Sequence, residues 1–220
     1  MNCIPNFRLA FTASVWMPLF AFLALMVQPA KAGFDEATAA FAAGDYPKVL
    51  AELTPLAKEG DPRSQYAMGL LYENGFGVAI DPAVAATWYL KAAEQGNSDA
   101  QYNLGVMFER GVGVPVNHTE AARWYRPAAE QGDIDALNNL GVLYETGRGV
   151  PQDKILAMAL YSVSLSFSDN SSARAQQNRQ LLANKMSPDD VKAALVLTGD
   201  MLKMSSLKLA LQAYLKESTP

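Results

Sequence analysis

The chain is poor in the residues that build cofactor sites and crosslinks. It has a single cysteine, Cys3, and a single histidine, His118. With one cysteine no disulfide can close within the chain, so stability has to come from packing. With one histidine neither a Ser-His-Asp arrangement beyond that residue nor a multi-histidine metal site can be assembled. His118 directly follows a helix-cap asparagine and reads as a solvated side chain. Basic charge is also scarce: 18 Lys and Arg stand against 22 Asp and Glu, a net charge of -4. That balance argues against nucleic acid as a partner. At 50% hydrophobic and 18% charged residues the composition is that of a globular chain.

One long apolar run is present, at the start. Arg8 precedes LAFTASVWMPLFAFLALMV, Leu9 to Val27, and QPAKAG follows. A positive start, an apolar middle and a small-x-small ending describe a secretory signal peptide over residues 1–32, with cleavage expected after Ala32. Retention of the run as a membrane anchor is the alternative. Cleavage would remove Cys3, Arg8 and Lys31 and leave 188 residues with 16 basic and 22 acidic side chains, a net of -6. The expected product is periplasmic or secreted, without bulk-charge attraction to anionic lipid.

The rest of the chain repeats itself. Residues 61–96, 97–132 and 133–168 align without gaps as blocks of 36, and the first two share 16 identical positions; unrelated chains of ordinary composition share about two or three. Each block opens on a short polar residue (Asp61, Asn97, Asp133) suited to accept from the free N–H groups of a helix. Apolar residues then recur at helical spacing, as in Ala100, Leu104, Met107 and Phe108. Gly75, Gly111 and Gly147 stop the first helix, and a second glycine two places on extends the loop. Asp81, Asn117 and Asp153 cap a second helix, whose apolar face holds Trp88 and Tyr89, or Trp124 and Tyr125. Pro127 lies well inside that helix and predicts a bend. Gly69, Gly105 and Gly141 fall in the middle of the first helix, where each costs about 1 kcal/mol relative to alanine. Such repetition predicts a close approach, with Ala85, Ala121 and Ala157 of the second helix placed against them.

The strings AQYNLGVMFERGVGVPVNHTEAARWYRPAAEQG and DALNNLGVLYETGRGVPQD resemble Sel-one-like repeats, longer-looped relatives of tetratricopeptide repeats. The resemblance implies an all-α fold, a right-handed α-solenoid of antiparallel helix pairs. FDEATAAFAAGDYPKVLAELTPLAKEG, residues 34–60, looks like a degenerate first pair, so the solenoid is expected over 33–168. Residues 169–220 read as C-terminal capping helices, with a division expected at Gly199-Asp200 and an apolar stripe of Leu207, Leu211, Tyr214 and Leu215.

Strings with a catalytic look do not cohere. Ser205-Ser206-Leu207-Lys208 fits S-x-x-K and Ser168-Asp169-Asn170 reads S-D-N, as in serine β-lactamases. Their order is reversed, no K-T-G exists, and the cysteines of those members of the resembling family linked to β-lactam hydrolysis are missing. Asp189 and Asp190 sit in a first helical turn, where carboxylates favour the helix dipole. No catalytic residue, cofactor or metal ligand is assigned; a cell-wall or β-lactam hydrolase and a membrane-tethered envelope scaffold remain the alternative functions.

What remains is a surface. Tyr66, Leu70 and Glu73, then Tyr102, Val106 and Glu109, then Asn138, Val142 and Glu145 recur at i, i+4 and i+7 on the first helix of each block. The resemblance implies that this helix lines the concave side. These nine residues are therefore the candidate protein-binding face, and the expectation is a non-enzymatic adaptor that grips a protein or peptide of the cell envelope.

Overall fold

The computed structural model describes residues 33–168, 172–203 and 207–217. The segment 1–32, Asp169, Asn170, Ser205 and Ser206 lie outside the described residues, and with them the leader and part of each serine string. Among the described residues there are eleven helices and no strand: α1 (33–42), α2 (Tyr46–Glu59), α3 (Pro62–Asn74), α4 (Pro82–Glu94), α5 (Ser98–Arg110), α6 (His118–Glu130), α7 (Ile134–Thr146), α8 (Lys154–Phe167), α9 (Ala173–Ala183), α10 (Pro188–Lys203) and α11 (Leu207–Glu217). The pairs α3/α4, α5/α6 and α7/α8 are the three 36-residue blocks, and each second helix also packs on the first helix of the following block. The fold is an all-α repeat solenoid.

Helix boundaries follow from the capping chemistry. Asp61, Asn97 and Asp133 accept from the backbone N–H of Ser64, Ala100 and Ala136; Asp81, Asn117 and Asp153 do the same for Val84, Glu120 and Leu156. The N–H of each of these second caps also returns to the preceding helix, Asp81 to Tyr72 O, Asn117 to Phe108 O and Asp153 to Tyr144 O, all at 2.8–2.9 Å. The turn between the two helices of each pair is thus closed by one residue acting in two directions. α6 runs on through Pro127.

Two sets of glycines carry the geometry. In the loops, Gly113 (φ 71°) and Gly149 (φ 72°) lie directly on the backbone at the start of the preceding second helix, at Pro82 and at His118. Gly77 does the same over Tyr46. These glycines are inter-repeat seats, beyond the loop extension that the spacing suggests. Within the first helices, Gly69, Gly105 and Gly141 lie against the rings of Tyr89, Tyr125 and Tyr161. The close approach is there, but its main partner is the tyrosine four residues beyond the alanine expected. Ala85, Ala121 and Ala157 are fully buried on the same helical face, and at Gly141 the Ala157 carbonyl stands 3.3 Å from where a Cβ would lie.

The Trp-Tyr pair is divided between two interfaces. Trp124 packs back among Ala85, Tyr89, Leu104 and Met107, whereas Tyr125 belongs to the cluster built on Leu137, Leu140 and Tyr161. Trp88 likewise faces Val49, Leu53 and Met68 of the first pair. Polar stitching runs alongside: Gln65 Nε2 donates to Ala57 O and Gln101 Nε2 to Ala93 O, while Gln95 and Gln131 donate to those glutamines at 2.7 and 2.8 Å.

The C-terminal helices finish the stack. α9 lies on α7 and α8, with Asn178 donating to Asn138 at 2.9 Å. α10 packs on α8 and continues unbroken through Gly199, so the division expected there does not occur; nothing crowds that glycine and a helix tolerates it at small cost. Leu207, Ala210 and Leu211 of α11 are buried in the main core, and Tyr214 donates to the α8 cap Asp153 at 3.0 Å.

The two kinds of glycine constraint can be separated by mutation. Gly96→Ala meets only the cost of a left-handed residue, about 1 to 2 kcal/mol. Gly113→Ala adds a backbone overlap with Pro82 and is expected to cost clearly more. Urea unfolding of the two variants measures the difference, and equal losses would show that the loop does not seat on Pro82.

Candidate functional site

The first helices of the pairs, α1, α3, α5 and α7, present one face together, and the recurring side chains on it are held from behind. Because each tyrosine ring lies on a mid-helix glycine, its hydroxyl emerges beside the glutamate near the end of the same first helix. Tyr89 donates to Glu73 Oε2, Tyr125 to Glu109 Oε2 at 2.8 Å, and Tyr161 to Glu145 Oε2 at 2.9 Å. The next repeat adds an amide: Asn139 donates to Tyr125 at 3.3 Å, and Asn103 stands near the hydroxyls of Tyr66 and Tyr89, where it favours their ionised form. Burial, reinforced by the carboxylate each one faces, pushes all three second-helix tyrosines far above the usual phenol range. Tyr214, half-buried against Asp153, is pushed up to about 12 by burial first and then by that carboxylate.

Glu73, Glu109 and Glu145 are therefore tethered, each by one oxygen, a restraint that their spacing does not reveal. The second oxygens differ. Glu109 Oε1 meets Arg148 at 3.5 Å and Glu145 Oε1 meets Lys185 at 3.5 Å. No such cation pairs with Glu73 among the described residues, because the position 36 residues before Arg148 is Val112.

Tyr66, Leu70, Tyr102, Val106 and Val142 are half-buried: each packs on the core with part of its surface and shows the remainder on the shared face. Tyr66 and Tyr102 stand 5.7 and 6.0 Å, centroid to centroid, from Tyr89 and Tyr125. Burial raises both hydroxyls, with Asp99 adding to the effect at Tyr66 and Asp135 and Asp133 at Tyr102. Asn138 is different. It is 1% exposed, and α9 covers it through Asn178 while Arg174 pairs with Asp135 at 3.7 Å. Tyr66, Leu70, Tyr102, Val106 and Val142 thus form a half-exposed strip, with acidic groups beside Tyr66 and Tyr102.

An element not read from the sequence lies at the N-terminal end of the same face. Between α1, α2 and α3 is an apolar cavity of about 220 Å³ whose lining includes Phe34, Phe41, Leu53, Ala67 and Leu70. Of the nine residues singled out, only Leu70 reaches it. Among the described residues no group of three or more His, Cys, Asp or Glu could hold a metal ion, and no helix is long and apolar enough to cross a membrane.

The Sel1 repeat matches residues 62–97, 98–133 and 134–163. A solved Sel1 repeat protein from Oxalobacter formigenes is 30% identical, with a TM-score of 0.58 over 75% of this chain and 74% of that one. This chain belongs to the Sel1 repeat family. A protective antigen of uropathogenic Escherichia coli strains, displaying the SLR fold, is 26% identical with a TM-score of 0.65 over 79% of this chain. This chain spans 36% of the length of that antigen. Comparison with curated proteins gives no match. Sel1 repeats serve in general as protein-interaction scaffolds.

Tyr125→Phe removes the hydroxyl that holds Glu109 and Asn139, with an expected loss of about 1.5 to 3 kcal/mol in denaturant unfolding. A pH titration tests the set as a whole. Tyr89, Tyr125 and Tyr161 keep their protons to higher pH in the folded chain than in the unfolded one. Their contribution is complete below about pH 10 and is withdrawn as pH rises beyond it. Melting temperature should fall steeply in that alkaline range, and tyrosinate absorbance from these three should appear only with unfolding; early ionisation of all nine tyrosines at the ordinary value would contradict the network.

Proposed function

We propose that this Sel1 repeat protein is an exported, non-enzymatic adaptor that binds a segment of a partner protein along the face formed by its first helices. One observation carries the reading: Tyr66, Leu70, Tyr102 and Val106 form a half-exposed aromatic and aliphatic strip whose neighbours are locked by the tyrosine–glutamate–asparagine bonds. A surface fixed in this way loses little freedom when a partner docks, so more of the contact energy appears as affinity. Tyrosines contribute large contact area with few rotatable bonds. The typical role of the repeat in protein interaction supports the same reading.

Export is part of the proposal and rests on the sequence of residues 1–32. The partner is accordingly sought in the periplasm or outside the cell. Mass spectrometry of the protein recovered from the envelope should give an N-terminus at Gly33; retention of the apolar run would favour the tethered scaffold instead. For the binding face, a photoreactive amino acid placed at Val106 should crosslink a protein partner in intact cells, and the same group at Leu90, on the second-helix side, should not. Crosslinks from Leu90 alone would move the site to the opposite surface. Acylation of the purified protein by a labelled penicillin would overturn the non-enzymatic part.

A further inference from the structure

The junction between the first pair and the first full repeat departs from the others in a consistent way. At the later junctions the gap beside the first helices is filled by the second-helix tyrosine and by an asparagine of the following repeat, Tyr89 with Asn103 and Tyr125 with Asn139. Thirty-six residues earlier in register those positions are Leu53 and Ala67. Both line the 220 Å³ cavity, together with Ala37 and Leu70, and Phe34 and Phe41 complete the apolar wall. A hydrogen-bonded closure has become an apolar opening on the candidate binding face.

The lining decides what can enter. Its two polar side chains are already committed: Thr38 Oγ1 donates to Phe34 O at 3.0 Å and Asn74 Nδ2 to Leu70 O at 2.9 Å. Beyond these two side chains the wall offers nothing to a polar ligand. The volume falls below the ~300–1,000 Å³ of small-molecule sites and suits a single side chain. Water gains no partners in such a space, whereas an apolar group gains them on every side. Phe41, 45% exposed, stands at the rim, set edge-on to Tyr46 and Phe76 at 5.8 and 5.4 Å.

Charge supplies the second element. Glu73 lies three residues beyond Leu70, and the arginine or lysine that meets the corresponding glutamates is absent here. A partner can provide it. We infer that the first junction is a socket for one large apolar side chain of a partner peptide that carries a lysine or arginine about one helical turn from that anchor. The inference rests on the binding-face reading above and specifies the chemistry of its partner.

Selection of phage-displayed random twelve-residue peptides on the purified protein tests it. The expected binders share a leucine, methionine or aromatic anchor with a basic residue three or four positions away. Ala67→Leu fills the socket and should weaken them about tenfold to a hundredfold. Phe41→Ser, at an exposed rim position, should act in the same direction and guards against a folding defect in the first variant. Glu73→Gln retains an acceptor for Tyr89 and removes the charge, so a two- to fivefold loss that shrinks at high salt is expected.

Acidic consensus peptides, or binders indifferent to both Ala67→Leu and Phe41→Ser, would overturn the socket. If such binders are lost on Val106→Arg, the face reading survives without it. Binders indifferent to all of these variants, or an empty selection, count against both. Concentration-dependent dimerisation abolished by Phe41→Ser would make a second copy of the chain the occupant and would equally overturn the peptide assignment.

Discussion

The seat of a tyrosine ring on a glycine backbone governs this solenoid. At Gly69, Gly105 and Gly141 the ring of Tyr89, Tyr125 or Tyr161 occupies the space that a Cβ would need. Each glycine costs about 1 kcal/mol of helix propensity, and full burial of a large ring returns about 1.5 to 3 kcal/mol. The exchange is favourable, and it also has direction. A ring that lies on the helix sends its hydroxyl to one side, and there it finds the glutamate of its own pair and, at Tyr125, the asparagine of the next. One packing contact therefore fixes the distance between two helices, the rotamer of a carboxylate and the registration of the following repeat.

Registration is reinforced on the other side of each pair by the loop glycines resting on Pro82 and His118. Between them the two contacts leave a repeat little freedom to slide or rotate, as expected when each module is stabilised mainly by its neighbours. The ends show what happens when a neighbour is missing. At the C-terminal end α9 supplies Asn178, which bonds Asn138 of α7, and Tyr214 bonds the cap of α8. At the N-terminal end the network is absent, and an apolar hole stands in its place.

Much of the architecture was legible in the sequence because caps and stop signals are local. Asp61, Asn97 and Asp133 act within three residues of themselves, and the left-handed glycines act on their own turns, so spacing alone locates the helices. The partner of Gly69 was not legible in the same way. Ala85 and Tyr89 lie one turn apart on the same face, and composition favours the small residue as the neighbour of a glycine; only the crossing of the helices selects the ring. The tethering of Glu73, Glu109 and Glu145 was not legible for a related reason. Their tyrosines sit 16 residues away across a loop, beyond the reach of any helical periodicity. Asn138 falls to α9, whose docking no repeat pattern foretells. The cavity is legible only by subtraction, once Leu53 and Ala67 are set beside the tyrosines and asparagines that hold their positions elsewhere.

The contrast between the junctions bears on how such a scaffold acquires specificity. A polar closure is indifferent to a passing peptide, because its donors and acceptors are already satisfied and opening it would leave partly buried groups unpaired at about 1 to 3 kcal/mol each. Replacing the tyrosine and asparagine by leucine and alanine removes that barrier and creates apolar surface with nothing against it. A repeat array needs only two such substitutions to turn an internal joint into a place where affinity is concentrated. The remaining joints then serve as a rigid track that sets the direction of the chain leaving the socket. In this chain the track beyond the socket carries Glu73 without a cation, and Asp99 and Asp135 beside Tyr66 and Tyr102. Partly solvated carboxylates of this kind add little to affinity, but they discriminate against an acidic segment. Apolar burial at one junction and charge along the next two would thus divide the work, the first setting how tightly a segment is held and the second which segment it is.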